Sequence, residues 1–115
     1  MNIVFMGTPE FALTSLKAIY DAGHDIALVV SQPDKPSGRG YALTPSPVKK
    51  FALEKGIEVV TPASMRTEEA DRLLRSVNAD VFVVAAFGKI LPQNILDIPP
   101  HGCICVHASL LPALR

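Results

Sequence analysis

The stretch NIVFMGTPEFALTSLKAIYDAG, residues 2–23, decides the fold. Asn2 to Met6 is apolar from Ile3 onward without alternation, the mark of a strand covered on both faces, as in a parallel sheet. Thr8 is a natural N-cap, Pro9 suits the first helical position, and Glu10 favours the positive end of a helix dipole, so a helix is expected to begin there. Ala12, Leu16, Ile19 and Tyr20 recur at helical spacing, and Gly23 supplies the stop. Strand, tight turn and helix in this order form the first half of a βαβ unit.

The alternation continues downstream. Asp25 to Ser31 reads as a second strand, followed by a long turn-rich loop, Gln32 to Gly40. Ser46 can cap a helix with Pro47 in its first turn, carrying Val48, Phe51 and Ala52 until Gly56 ends it. Ile57 to Val60 makes a short third strand, and Thr67 opens a helix whose apolar stripe is Ala70, Leu73, Leu74 and Val77. Val81 to Ala86 reads as a buried, central strand. A helical turn with Ile95 and Leu96 follows Pro92, and Cys103 to Val106 is the fifth strand. Right-handed crossovers then give an α/β fold with a Rossmann-like open, mainly parallel sheet. The chain stops at Arg115, a few residues past the fifth strand with no helix to cover the sheet beyond it, so a truncated domain is expected.

Composition narrows the classes. A chain of 115 residues with 49% hydrophobic and 19% charged residues is one domain at most and can bury one core without disulfides. Eleven basic residues balance eleven acidic ones, which argues against a uniformly basic nucleic-acid-binding surface. The balance is local, however: residues 35–53 hold Lys35, Arg39, Lys49 and Lys50 and no acid, whereas 54–80 hold six acids and four bases. The apolar runs are far too short to span a bilayer, and the apolar start breaks at Gly7-Thr8-Pro9-Glu10, unlike a signal peptide. A cytoplasmic protein with no membrane partner is expected. Cys103 and Cys105 lie two apart, on one face of a strand and poorly placed to bridge each other. No second Cys/His pair has zinc-like spacing, so no metal site is expected.

In open α/β sheets ligands bind beyond the carboxyl ends of the strands, so the segments following each strand carry the chemistry. Gly7-Thr8-Pro9-Glu10 lacks the further glycines of a dinucleotide fingerprint, and Glu10 would repel a phosphate, which disfavours NAD or FAD. Gly38-Arg39-Gly40 sets one long cation on flexible backbone, suited to a phosphate or a base edge; a loop with merely solvated charges is the plain alternative. Phe87-Gly88-Lys89-Ile90-Leu91 could wall a pocket for a flat heterocycle, although Phe87, Ile90 and Leu91 also suit an ordinary core. His107 follows the last strand, where an imidazole can act as acid, base or oxyanion donor, or serve structurally. His24 and His101 precede strands and receive no functional reading.

Five motifs in order, Gly7-Thr8-Pro9-Glu10-Phe11-Ala12, Gln32-Pro33-Asp34-Lys35-Pro36 with Gly38-Arg39-Gly40, Pro45-Ser46-Pro47-Val48-Lys49, Phe87-Gly88-x-Ile90-Leu91-Pro92 and Val106-His107-x-Ser109-Leu110-Leu111-Pro112, resemble the methionyl-tRNA formyltransferase family. The last motif is shared with glycinamide ribonucleotide and sugar formyltransferases; the first two point to the tRNA enzymes. The resemblance implies formyl transfer from 10-formyltetrahydrofolate to the amine of methionyl initiator tRNA, by an enzyme that is a monomer at full length. It implies that His107 is catalytic, that Ser109, Leu110, Leu111 and Pro112 contact folate, and that Phe87, Gly88, Ile90 and Leu91 wall the pterin pocket. It assigns tRNA contact to the loop with Arg39 and Lys35.

Three departures accompany it. Cys105 stands where the family has its catalytic Asn, and Ala113-Leu114 replace its basic and aromatic residues after Pro112. The family's later catalytic Asp, remaining strands and C-terminal barrel have no counterpart in these 115 residues. Residues 1–115 are therefore expected to be the N-terminal portion of a catalytic domain, weak or inactive alone. The alternatives are a non-catalytic folate- or tRNA-binding remnant, and a formyltransferase acting on an amino sugar or glycinamide ribonucleotide.

Overall fold

The computed structural model describes residues 1–37 and 42–106. Strands β1 (Asn2–Gly7), β2 (Asp25–Val30), β5 (Val59–Val60), β6 (Val81–Ala85) and β7 (Cys103–Val106) form a parallel sheet in the order β5-β2-β1-β6-β7. The helices α1 (Glu10–Asp21), α2 (Pro47–Glu54), α3 (Glu68–Val77) and α4 (Gln93–Leu96) lie between them in sequence. The expected five-strand α/β alternation is therefore present. β1 occupies the middle of the sheet and β6 lies beside it.

Alternation along the strands divides the core into two layers. Ile3 and Phe5 of β1 and Val81 and Val83 of β6 pack with Ala12 and Leu16 of α1 and Val48 and Phe51 of α2. Val4 and Met6 of β1 and Phe82 of β6 pack on the other side with Ala70 and Leu74 of α3 and Ile95 of α4. Phe5, Phe82 and Leu16 are completely buried. The unbroken apolar run of β1 is the sequence image of this two-sided covering.

Gly7 ends β1 where α1 passes closest: a Cβ there would lie 2.7 Å from both the Ala12 Cβ and the Ala85 carbonyl oxygen. Ser46 caps α2 as expected, its hydroxyl accepting from the Lys49 N–H at 3.1 Å, and Thr67 caps α3 by accepting from the Ala70 N–H at 3.1 Å. Asp71 joins α3 to α4, accepting from Arg75 Nε and from Asn94 Nδ2, each at 2.6 Å; these hydrogen bonds hold its carboxyl below the usual carboxylate range.

Three local expectations change. Thr8 does not cap α1: Pro9 takes the N-cap position and no side chain bonds the first turn, because the Thr8 hydroxyl is engaged elsewhere. The segment after β2 is not wholly loop, since β3 (Lys35–Ser37) pairs antiparallel with β4 (Ala42–Thr44), Lys35 opposite Thr44. β5 is only two residues long, against four in the sequence reading. Among the described residues no helix is long and apolar enough to cross a membrane, and no group of three or more His, Cys, Asp or Glu could hold a metal ion.

Candidate functional site

The carboxyl ends of β2, β1 and β6 are adjacent, and the first residues beyond them meet in one hydrogen-bonded junction. The Thr8 hydroxyl donates to the Phe87 carbonyl at 3.0 Å and accepts from the Gln32 backbone N–H at 3.2 Å. The Gln32 carboxamide nitrogen donates to the same Phe87 carbonyl, also at 3.0 Å. One carbonyl oxygen thus serves two donors, which uses both of its lone pairs.

The segment that Phe87 opens has an uncommon backbone. Ala86 and Gly88, on either side of Phe87, have φ values of 55° and 90°. The left-handed region costs an alanine about 1–2 kcal/mol, whereas glycine adopts it freely. A Cβ at position 88 would also meet the Gln32 carboxamide, which would have to move off the Phe87 carbonyl, so glycine suits the position by conformation and leaves Gln32 in place. The Phe87 ring is buried in the α3 layer at 2% exposure, Leu91 is half-buried, and Ile90 is 71% exposed. The sequence left this segment open between core and pocket wall, and the structure divides it: Phe87 is core, while Ile90 is an apolar side chain facing outward.

The segment from 32 to 46 is anchored at its base. Ser31, fully buried, shares a 2.6 Å hydrogen bond with the Ser46 hydroxyl, and Lys49 Nζ meets both carboxylate oxygens of Asp34 at 3.0 and 3.1 Å. The ladder between β3 and β4 continues the closure outward. Lys35 is exposed on this arm. Arg39 lies outside the described residues, as do His107, Ser109, Leu110, Leu111 and Pro112.

β7 runs beside β6 with Val84 opposite Cys105 and Ala85 opposite Val106, so it ends next to the point where the Phe87 segment departs. Cys105 is exposed. Cys103 is half-buried, its thiol 3.5 Å from the Leu96 carbonyl, and burial raises its pKa, with Cys105 and Asp97 adding to the shift. A cleft of about 430 Å³ beside α3 is lined by Val30, Val60, Met65, Leu73 and Leu74; none of the residues assigned a role from sequence lines it.

Sequence reasoning gave Gln32 no individual role and read Thr8 only as a cap. The available signal was location, since each is a polar residue just past the carboxyl end of a buried strand. Nothing in the sequence, however, shows that both converge on the Phe87 carbonyl, more than fifty residues from either.

A family model described as Formyl transferase matches residues 1–115. The chain is 56% identical to the methionyl-tRNA formyltransferase of Marinobacter nauticus and 55% identical to that of Chromobacterium violaceum, in each case over 100% of this chain and 37% and 38% of the relative. It thus spans under two-fifths of the length of these curated relatives. Among solved structures, glycinamide ribonucleotide transformylase 1 from Symbiobacterium toebii aligns with a TM-score of 0.65 at 21% identity, covering 98% of this chain and 54% of that one. The transformylase 1 from Geobacillus kaustophilus gives 0.66 at 17% identity, covering 99% and 61%. These two likenesses establish the shared fold.

Proposed function

The chain belongs to the formyl transferase family, and from that premise we propose that it is the N-terminal part of an enzyme transferring a formyl group from 10-formyltetrahydrofolate to the amine of methionyl initiator tRNA. One observation carries the reading: identity of 52–56% over the whole chain to proteins named methionyl-tRNA formyltransferase, including the segment with β3 and β4. The folate donor lies along the Phe87 segment, where the exposed Ile90 and half-buried Leu91 offer apolar surface and the neighbouring backbone offers polar groups. Gly88, Ser109, Leu110, Leu111 and Pro112 complete the folate contacts. Lys35, on an arm with an anchored base, and Arg39 contact the tRNA acceptor end.

The reaction needs little beyond placement, a donor and a proton carrier. The amine nitrogen attacks the formyl carbon, a C–N bond forms, and the carbonyl oxygen takes up negative charge. When the bond from that carbon to N10 of the folate breaks, the carbonyl re-forms; the amine has lost one proton and N10 gains one. His107 moves the proton and donates to the oxyanion. Cys105 stands beside it in sequence, where a thiol is a weaker donor than a carboxamide.

The test is formylation of charged initiator tRNA by the complete gene product, with glycinamide ribonucleotide as the competing acceptor. Formylation of the tRNA alone is expected, and transfer to the nucleotide instead would overturn the reading. Cys105 also favours a second reading, a folate-binding protein with little turnover. Cys105→Asn is expected to raise turnover, by up to about 10²-fold if it restores an oxyanion donor. An unchanged rate would mean that Cys105 is not a defective donor.

A further inference from the structure

The junction at Thr8, Gln32 and Phe87 has a role beyond tying three loops together. Gln32 is the first residue of the arm after β2, and its carboxamide presses against Gly88, the residue that turns the backbone from buried Phe87 toward exposed Ile90. Two left-handed residues flank the carbonyl that Gln32 and Thr8 hold. Release of that carbonyl would free Ala86 to leave a conformation that alanine disfavours, and the direction of residues 88–91 would change with it.

We propose that Gln32 is a positioning residue for the folate donor, acting with Thr8 through the Phe87 carbonyl rather than by touching the donor. The proposal rests on the reading of residues 88–91 as the folate wall. The chemistry is specific to a donor at position 32. A glutamate has nearly the same shape, yet its carboxylate would set negative charge against the carbonyl oxygen; once protonated, it could donate again. Thr8 must both donate and accept, which serine also does and valine does not.

The experiment measures binding of 5-formyltetrahydrofolate, a stable isomer of the donor, by the complete gene product and its variants between pH 5 and 8. Gln32→Glu is expected to weaken binding roughly tenfold at pH 8, the worth of one lost hydrogen bond plus repulsion, and to regain much of that as pH falls. Dividing by the parent's affinity at each pH removes the contributions of the charged groups on the adjoining segments, Glu10, Asp34, Lys35, Lys49 and Lys89. Thr8→Ser should bind within about twofold of the parent, and Thr8→Val several-fold more weakly.

A Gln32→Glu ratio that is flat with pH, or Thr8→Ser as poor as Thr8→Val, would overturn the proposal. Ile90→Ser tests the underlying reading separately. Loss of affinity in Ile90→Ser with a flat Gln32→Glu ratio removes only the positioning role. If Ile90→Ser binds as the parent does and the Gly88 and Lys89 amide resonances of Gln32→Glu still shift with pH, the segment is held by Gln32 but is not the folate wall, and both fall.

Discussion

The Thr8–Gln32–Phe87 junction and strand β7 end on the same edge of one sheet, yet they are built on opposite principles. At the junction three strand ends meet above a fully buried core, and the polar groups that meet there bond one another. At β7, the outermost strand, Ile104 is 54% exposed and Cys105 is exposed, and β6 is the only strand paired with it among the described residues. The difference shows where rigidity comes from in a parallel sheet. Central strands position their following loops through burial and internal hydrogen bonding, while an edge strand gets its place from one neighbour.

The contrast can be broken by mutation, and the largest effect belongs to the centre. Phe82 of β6 is fully buried, so Phe82→Ala should cost about 3–5 kcal/mol in urea unfolding. A loss below about 1 kcal/mol would mean that the core can collapse around the cavity. Ser46→Ala comes next, because it removes both the α2 cap and the partner of buried Ser31; roughly 1–2 kcal/mol is expected by the same measurement. Ile104→Ser on β7 should change stability by no more than about 0.5 kcal/mol. A larger loss would show that β7 is covered, and the comparison would then fail.

The smallest effect is chemical and sharpens the picture within β7. Iodoacetamide should modify exposed Cys105 several-fold faster than Cys103 near pH 8, because only the thiolate reacts and burial raises the Cys103 pKa. The Cys103 rate should climb later as pH rises. Equal rates at every pH would place both thiols in the same environment.

Much of the fold was legible in residues 2–23 and their repetition downstream. Uniform apolar runs in β1 and β6 announced a sheet covered on both faces, and Ser46-Pro47 and Thr67 announced helix starts that the structure reproduces. Local signals of this kind are written in the sequence because a strand's burial and a helix's first turn depend on residues within a few positions. The β3–β4 hairpin was missed because turn residues dominate its composition, and β5 was overread because only two of its residues find a pairing partner.

The candidate site divides along the same line. Motif resemblance proposed the candidate segments, since each is contiguous in sequence. What Thr8 does could not be read from its neighbours: proline beside it and glutamate after it predict a cap, but the strand order β2-β1-β6 brings a better acceptor within reach. Gln32 and Gly88 likewise acquire meaning only from each other. The sequence by itself determined the α/β alternation and the two-sided core, because these follow from local patterns of burial and turn formation. Tertiary structure alone decided that one carbonyl at the end of β6 would be held from two other strands, because a hydrogen bond depends on distances that the chain's order does not record.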